Sequence, residues 1–134
     1  MEPSDIRILV ADDDRMIRRI VFTKLSGLGY TVEEAEDGQE ALERLENGEF
    51  PDLLITDQLM PRLNGLQLIR AIRGSPDREK AILPVIMLTS KNGEQDVIQG
   101  LEAGLDDYVI KPFSPNELAA RVKTVLWRTQ RARS

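Results

Sequence analysis

The chain has 134 residues, which suits one domain with a single core, and its 41% apolar and 31% charged residues are ordinary for a globular protein. A formal net charge of −5 and a pI near 4.8 argue against nucleic acid as a direct ligand of the domain. The sequence has no cysteine and no histidine, which excludes disulfides, cysteine metal sites, catalytic triads with a histidine base, most zinc sites and a histidine phosphocarrier role.

Residues 1–5 are predicted to be an N-terminal extension of the folded domain. They lack the basic and apolar regions of a secretory signal peptide, and no apolar run reaches the roughly 18 residues that a membrane span needs. We therefore expect a cytoplasmic protein that does not contact the membrane. The domain itself is predicted at 6–127, followed at 128–134 by a C-terminal tail or the start of a linker.

Five short apolar runs alternate with five helix-like segments along the domain. Strands are predicted at about 6–11, 31–35, 52–57, 85–88 and 108–110, and helices at about 15–27, 38–48, 64–73, 94–103 and from 115 onward. The polar segment 74–80 is predicted to be a loop. Such alternation is typical of parallel βαβ units with right-handed crossovers. The predicted fold class is therefore α/β, a doubly wound five-stranded parallel sheet with five helices.

Three patterns within these elements lead to local predictions. Asp14 directly precedes the first helix and is expected to cap it, not to take part in chemistry. Val97, Ile98 and Leu101 recur at helical spacing in the fourth predicted helix and are expected to face the core. Ser114 is expected to open a capping box at the start of the last helix.

Polar residues stand where four of the predicted strands end. Asp12–Asp14 follow the first strand, Asp57 ends the third, Thr89 follows the fourth and Lys111 follows the fifth. Pro61, soon after Asp57, lacks an N–H and prevents that strand from simply continuing. Ligands of doubly wound sheets gather outside the carboxyl ends of the strands. These acidic, hydroxyl and ammonium groups are therefore expected to form one site.

The residue types at this edge favour a metal ion and phosphoryl chemistry. Acids crowded together raise one another's pKa unless a cation lies between them. Mg²⁺ is the natural cation because it is hard and prefers carboxylate, water and phosphate oxygens, and Mn²⁺ is the alternative. A carboxylate such as that of Asp57 can attack a phosphoryl group and form an acyl phosphate. Lys111 and Thr89 are suited to neutralise the phosphoryl oxygens.

The motifs from about Ile6 to Arg128 resemble the receiver domain of two-component response regulators, including those of the chemotaxis-regulator type. Each motif is weak alone, but together, in this order and at strand ends, they are highly specific. The matching pieces are Ile8–Asp13, Asp57 with Met60, Pro61 and Gly65, Thr89 with Ser90, Gly104–Tyr108, and Lys111–Phe113. The resemblance implies a flavodoxin-like sheet with strand order 2-1-3-4-5.

The resemblance also implies roles for individual residues. Asp57 matches the phosphorylated aspartate, and Asp12 and Asp13 match the acidic pair of the magnesium site. Asp13 is expected to be a direct metal ligand together with Asp57 and the main-chain carbonyl of Leu59. Lys111 matches the lysine that pairs with the phosphoryl group.

Further positions match the family's switch and its control of phosphoryl lifetime. Thr89 matches the hydroxyl that moves toward the phosphate, and Tyr108 matches the aromatic residue whose rotamer follows it. A cis peptide bond is expected before Pro112. Leu59 and Lys91 occupy the positions that influence phosphoryl lifetime. An apolar Leu59 positions an attacking water poorly, so the phosphorylated form is expected to persist.

The implied phosphate donor is a histidine kinase or a phosphotransfer protein. The implied output surface, formed by the fourth helix, fifth strand and fifth helix, would contact an output domain or a target protein. No enzymatic activity is implied beyond slow self-phosphorylation from small donors and self-dephosphorylation.

A homodimer formed on phosphorylation, with Asp107 paired to Arg121 across the interface, is typical of the winged-helix transcription-factor branch. Val97 stands where that branch often has a basic residue that faces the Glu117 position, which argues against this particular dimer.

Two other functions remain open from the sequence. Asp12–Asp14 contains the Asp-x-Asp of haloacid-dehalogenase-like phosphatases, although that class leaves Asp57 unexplained and usually has longer chains. The second open function is that of a receiver fold used only for docking. The complete set of acids, hydroxyl and lysine argues against this function. Neither a Walker-type loop nor a Gly-x-Gly-x-x-Gly motif is present, so ATP or flavin binding has no support.

Overall fold

Five parallel strands form one sheet at the centre of the molecule. The computed structural model describes residues 2–48 and 50–133. In these ranges the strands are β1 (Arg7–Ala11), β2 (Thr31–Ala35), β3 (Leu53–Thr56), β4 (Val85–Thr89) and β5 (Asp107–Ile110). Their order is β2-β1-β3-β4-β5, which leaves β2 and β5 at the edges. The predicted doubly wound parallel sheet and its strand order are confirmed.

Helices cover both faces of this sheet. In the described ranges they are α1 (Arg15–Gly27), α2 (Gly38–Asn47), α3 (Gly65–Arg73), α4 (Arg78–Ala81), α5 (Glu94–Ala103) and α6 (Pro115–Arg133). A single 3-10 turn lies at Pro3–Asp5. The fourth and fifth helices predicted from the sequence are therefore α5 and α6. Among the helices described, none is long and apolar enough to cross a membrane.

The prediction that 74–80 is wholly loop is wrong, because α4 begins within that segment at Arg78. Asp77 provides the physical reason, since its carboxylate accepts a hydrogen bond from the Glu79 N–H at 3.0 Å. This contact satisfies a donor of the first turn that has no partner inside the helix. A helix of four residues is too short to show helical periodicity in the sequence. Within the residues that the structure describes, the predicted number of five helices is thereby corrected to six.

The core is divided between the two faces of the sheet. Ile8 and Val10 of β1 belong to the cluster beneath α1 and α6, whereas Leu9 and Ala11 belong to the cluster beneath α2 and α3. This alternation follows from the two-residue period of a strand. Because both faces are covered, the inner strands β1, β3 and β4 are mostly apolar, and their polar residues stand at the strand ends. Each fully buried Leu or Ile side chain contributes about 1.5–3 kcal/mol to folding.

Side-chain caps fix where the first and last helices begin. Asp14 accepts hydrogen bonds at 2.9 and 3.3 Å from two N–H groups in the first turn of α1, so its predicted role as a cap is confirmed. Ser114 accepts a hydrogen bond from the Glu117 N–H at 3.2 Å, as the predicted capping box requires. The Glu117 carboxylate does not complete a reciprocal box and pairs with Arg121 at 3.1 Å.

The predicted core-facing stripe of α5 is only partly correct. Val97 and Ile98 are half-buried, but Leu101 is 56% exposed and does not face the core. The buried residue of this helix is Gly100, where an added Cβ would lie 2.5 Å from a side-chain carbon of Leu105. The helix therefore faces the sheet with Gly100. The next residue, Leu101, lies on the side of the helix that faces solvent.

The last helix continues beyond the predicted end of the domain. α6 runs from Pro115 to Arg133 and crosses the boundary expected after residue 127. The assignment of 1–5 as an extension and of 128–134 as a tail or the start of a linker stays a prediction.

The start of α3 generates a prediction about stability. A Cβ built on Gly65 would lie 2.4 Å from the main-chain oxygen of Asp57, a distance that the backbone must shift to relieve. We expect Gly65→Ala to lower the free energy of unfolding by about 1–3 kcal/mol, as overpacking does elsewhere. Urea denaturation followed by circular dichroism measures the change.

Gly27→Ala is the matched control, because a Cβ at this last residue of α1 meets nothing within 4 Å. Helix propensity predicts that this variant is unchanged or more stable by up to about 1 kcal/mol. Equal stability of Gly65→Ala and the parent protein would show that the tight contact beneath α3 is absent.

Candidate functional site

Carboxylates from two neighbouring strands meet at the carboxyl edge of the sheet. Asp12 and Asp13 follow β1, Asp57 follows β3, and oxygen atoms of the three side chains all lie within 4.8 Å of one another. The backbone fixes this arrangement, because the Asp57 N–H donates to the Ala11 carbonyl at 2.9 Å and the Asp12 N–H donates to the Ala35 carbonyl at 3.1 Å. The expected acidic pocket is therefore present.

Asp57 is buried and held by its own loop. Asp57 as a residue is only 7% exposed. Its Oδ1 accepts hydrogen bonds from the Gln58 N–H at 2.6 Å and from the Leu59 N–H at 3.3 Å. The Leu59 side chain itself is exposed to solvent. These two donors fix the direction of the carboxylate and leave Oδ2 turned toward the other side of the pocket.

Lys111 faces both buried acids from the far side of β4. Its ammonium nitrogen lies 2.7 Å from Oδ2 of Asp12 and 3.0 Å from Oδ2 of Asp57. The Lys111 N–H donates to the Thr89 carbonyl at 2.9 Å, which ties this residue to the end of β4. The peptide bond between Lys111 and Pro112 is cis.

Burial and charge act in opposite directions on these groups. Burial raises the pKa of the Asp12 carboxyl above its ordinary value, although Lys111 and the Asp14 N–H partly oppose this. Burial also disfavours the charged form of Lys111, but hydrogen bonds and charges from Asp12 and Asp57 outweigh it and raise the pKa of the ammonium. The pocket thus holds a charged lysine beside an acid that is costly to ionise.

The donor set of this pocket suits a hard divalent cation. Three carboxylates face a single ammonium group, so the described residues leave the cluster with excess negative charge. Asp13 is exposed, whereas Asp12 and Asp57 are buried, which gives the cluster an open side toward solvent. Carboxylate oxygens with room for water are the ligands that Mg²⁺ prefers. The residues present therefore fit a magnesium ion.

Thr89 and Tyr108 are linked through the backbone of Lys91. The buried Thr89 hydroxyl oxygen accepts a hydrogen bond from the Lys91 N–H at 3.3 Å. The Tyr108 hydroxyl donates to the Lys91 carbonyl. Burial, with smaller effects from Asp96 and Asp57, raises the pKa of the Tyr108 hydroxyl. The three positions that the sequence singled out are thus joined in one short chain of contacts.

A buried arginine near the acid pair was missed by the sequence-based interpretation. Arg18 lies on α1, is 8% exposed, and donates to the Asp12 carbonyl at 2.6 Å. Its Nε lies 3.4 Å from the Glu34 carboxylate without hydrogen-bond geometry. Arg18 therefore anchors the corner that carries the acid pair. The only signal of its burial in the sequence was that Arg18 directly follows Ile17, a member of the apolar stripe of α1.

The predicted output surface exposes apolar side chains beside an ion pair. Leu101 of α5 is 56% exposed and Ile110 of β5 is 36% exposed. Asp107 and Arg121 pair with each other within the chain at 3.1 Å. The pairing of these two residues across a dimer interface stays a prediction.

Comparison with known proteins identifies relatives along nearly the whole chain. The family model described as response regulator receiver domain matches residues 8–123. The chain is 48% identical over 126 residues to the "Probable transcriptional regulator ycf27" of Guillardia theta, covering 94% of this chain and 47% of that protein. It is 46% identical over 125 residues to the response regulator MprA of Mycobacterium ulcerans, covering 93% of this chain and 52% of that protein.

A solved structure also resembles this chain in fold. The receiver domain of the Francisella response regulator 1452 matches with a TM-score of 0.82 and 36% identity, covering 92% of this chain and 98% of that one. The chain spans about half the length of the curated relatives it matches. Sequence, fold and pocket agree, and the chain belongs to the response regulator receiver domains, the signalling domains of two-component systems.

Proposed function

We propose that Asp57 is the phosphoacceptor of this receiver domain, in a reaction that depends on Mg²⁺ or, alternatively, Mn²⁺. The observation that carries the proposal is the cluster of Asp12, Asp13 and Asp57 within 4.8 Å, with Lys111 bound to two of its members. The donor is a histidine kinase or a phosphotransfer protein, because the chain has no histidine of its own.

Phosphoryl transfer forms one bond and breaks another. A carboxylate oxygen of Asp57 attacks the phosphorus of a phosphohistidine, and the P–N bond breaks with its electron pair returning to the donor imidazole. The product is an acyl phosphate on Asp57. Buried Asp57 is already oriented by two backbone N–H groups, so little rearrangement precedes the attack.

Charge neutralisation is the main requirement of this transfer. A magnesium ion bound by Asp13, Asp57 and the Leu59 carbonyl, with Asp12 beside it, would neutralise the pocket and the phosphoryl oxygens. Lys111 supplies a second positive charge, since its ammonium lies 3.0 Å from Asp57 and needs only a small shift to meet a phosphoryl oxygen.

The switch is proposed to pass through Thr89 and Tyr108. A phosphoryl group on Asp57 offers an acceptor to the Thr89 hydroxyl, which now contacts the Lys91 N–H. Movement of Thr89 disturbs the Lys91 backbone, to which the Tyr108 hydroxyl is bonded. The signal would then reach the surface formed by α5, β5 and α6, where Leu101 is exposed.

The partners on that surface are an output domain or a target protein. The relatives named as transcriptional regulators are about twice as long as this chain, which favours an output domain in the whole protein. A homodimer formed on phosphorylation is also proposed. We propose no direct nucleic-acid contact by the domain and no enzymatic turnover beyond slow self-phosphorylation and self-dephosphorylation. The cytoplasmic location stays a prediction.

Substitution of Asp57 tests the proposed function directly. With acetyl phosphate and Mg²⁺, the parent protein is expected to gain the mass of one phosphoryl group, and Asp57→Asn is expected to gain none. The modification should be labile to hydroxylamine, as an acyl phosphate is, and a chelator should prevent it. Intact-mass spectrometry measures the label.

Asp52→Asn is the matched control, because Asp52 stands at the opposite end of β3 and accepts the Arg7 N–H at 2.9 Å. It should label like the parent protein. Labelling of Asp57→Asn at the parent level would refute the phosphoacceptor assignment. Hydrolysis of a phosphate ester by Asp57→Asn would instead favour the phosphatase alternative, and a parent protein that takes no label would favour a docking module.

Asp13 and Asp14 offer a second test within one corner of the chain. Asp13→Asn is expected to weaken Mg²⁺ binding by about tenfold or more, because it removes one carboxylate of the three-acid cluster. Asp14→Asn should bind Mg²⁺ normally, since Asn caps a helix as well as Asp does. Isothermal titration calorimetry measures both, and equal losses in the two variants would contradict the proposed ligand set.

Leu59 provides the test of phosphoryl lifetime. Leu59→Asn is expected to speed dephosphorylation roughly tenfold, about 1.4 kcal/mol in the barrier, because an amide can orient the attacking water. Leu59→Ile, which keeps an apolar side chain, should leave the rate unchanged. Loss of the label is followed by mass spectrometry after removal of the donor. A slower rate in Leu59→Asn would refute the expectation.

A further inference from the structure

The segment 58–64 joins the phosphoacceptor to α3 and is fastened to a neighbouring helix by one arginine. This segment carries Leu59, whose carbonyl we have proposed as a metal ligand. Arg62, in the middle of the segment, donates two hydrogen bonds to the Asp37 carboxylate, from Nε at 2.8 Å and from a terminal nitrogen at 3.0 Å. A bidentate guanidinium–carboxylate pair fixes direction as well as distance.

Asp37 is itself a fixed point of the fold. It caps α2 by accepting a hydrogen bond from the Glu40 N–H at 2.8 Å, and it is buried. The hydrogen bonds from Arg62 hold the pKa of the Asp37 carboxyl below its usual value, against the opposing effect of burial. The Asp37 carboxylate that pairs with Arg62 is therefore ionised at neutral pH, and its hydrogen bond with the start of α2 holds it in place.

The backbone on both sides of this pair is unusually constrained. Arg62 has a φ of +68°, in the left-handed region that non-glycine residues seldom adopt. Such a conformation persists where the surroundings impose it. At the first residue of α2, a Cβ on Gly38 would lie 2.1 Å from the Leu63 carbonyl oxygen. The segment and the start of α2 thus touch backbone to backbone directly beside the ion pair.

We propose that the Arg62–Asp37 ion pair is a positioning clamp that sets the affinity of the acidic pocket for its divalent cation. Leu59 lies three residues from Arg62 in a segment whose other end is fixed at Asp57, so the clamp restricts where the Leu59 main chain can lie. Partners that orient metal ligands commonly change metal affinity although they never touch the ion. The proposal rests on the proposed function, because it concerns the same pocket.

The ion pair could instead have a purely structural role, which predicts a different result. The variant Arg62→Gly distinguishes the structural role from the positioning role. Glycine adopts a φ of +68° without steric cost, so this variant removes the guanidinium and relieves the backbone at once. If the pair only holds the fold together, any effect appears in stability. If the pair positions the segment, metal affinity falls although stability does not.

The experiment titrates Mg²⁺ into metal-free parent protein and Arg62→Gly by calorimetry, with urea denaturation in parallel. We expect roughly tenfold weaker Mg²⁺ binding in Arg62→Gly, with an unchanged or higher urea midpoint. Amide hydrogen exchange of the metal-free protein should speed up within 58–64. Arg62→Lys, which keeps the charge but cannot form the two-pronged contact, should lie between the two.

Arg44→Gln is the matched control. Arg44 also pairs with the first turn of α2, through Glu40 at 3.4 Å, but its second ion pair goes to Glu33 of β2 and not to the segment 58–64. It should bind Mg²⁺ like the parent protein. Parent-level affinity in Arg62→Gly overturns the clamp while leaving the proposed function intact. Weaker binding in Arg62→Gly and Arg44→Gln alike also overturns it, since a general charge effect would then suffice. A parent protein that binds no Mg²⁺ overturns both proposals together.

Discussion

Mutual repulsion among three carboxylates at one edge of the sheet is the constraint on which the rest of the site depends. Asp12, Asp13 and Asp57 approach within 4.8 Å, and two of them are buried. At such a distance, like charges in a partly buried pocket destabilise one another unless a counter-charge is close. Lys111 supplies one positive charge at 2.7 and 3.0 Å. The remaining negative charge is what gives the pocket its capacity to bind a cation and a phosphoryl group.

Strand register brings the acids together although the chain separates them by more than forty residues. Ala11 of β1 lies opposite Thr56 of β3, so the next residue of each strand, Asp12 and Asp57, leaves the sheet beside the other. A slip of one residue would exchange the faces of every side chain on β3. Leu53 and Ile55 pack in one core cluster and Leu54 in the other, so a slip would break the packing of both clusters. Packing of the core therefore fixes the geometry of a polar site that contributes little to the core itself.

The sequence predicts those features that depend on local pattern. The sheet, its edge residues and the cap at Asp14 follow from apolar periodicity, strand ends and helix-start chemistry. The orientation of Leu101 does not, because it is set by the close approach of Gly100 to the sheet. The partnership of Arg62 with Asp37 is equally hidden, since these residues are 25 apart and meet only when the start of α2 packs beside the segment that leads into α3. Apart from the short helix α4, it is contacts between elements, and not within them, that account for what the sequence left out.

The two ends of the site differ in how firmly they are held, and this difference suits a switch. Asp57 is bound by two N–H groups, by the lysine and, through its loop, by the bidentate contact of Arg62. The Thr89 hydroxyl oxygen accepts one hydrogen bond from an N–H at 3.3 Å, a long and weak contact that the side chain can leave when its hydroxyl donates to a phosphoryl oxygen. A new acceptor on Asp57 therefore moves the loosely held hydroxyl and not the fixed acid. Because the backbone of Lys91 joins Thr89 to the Tyr108 hydroxyl, that movement has a direct route to the surface beside α5.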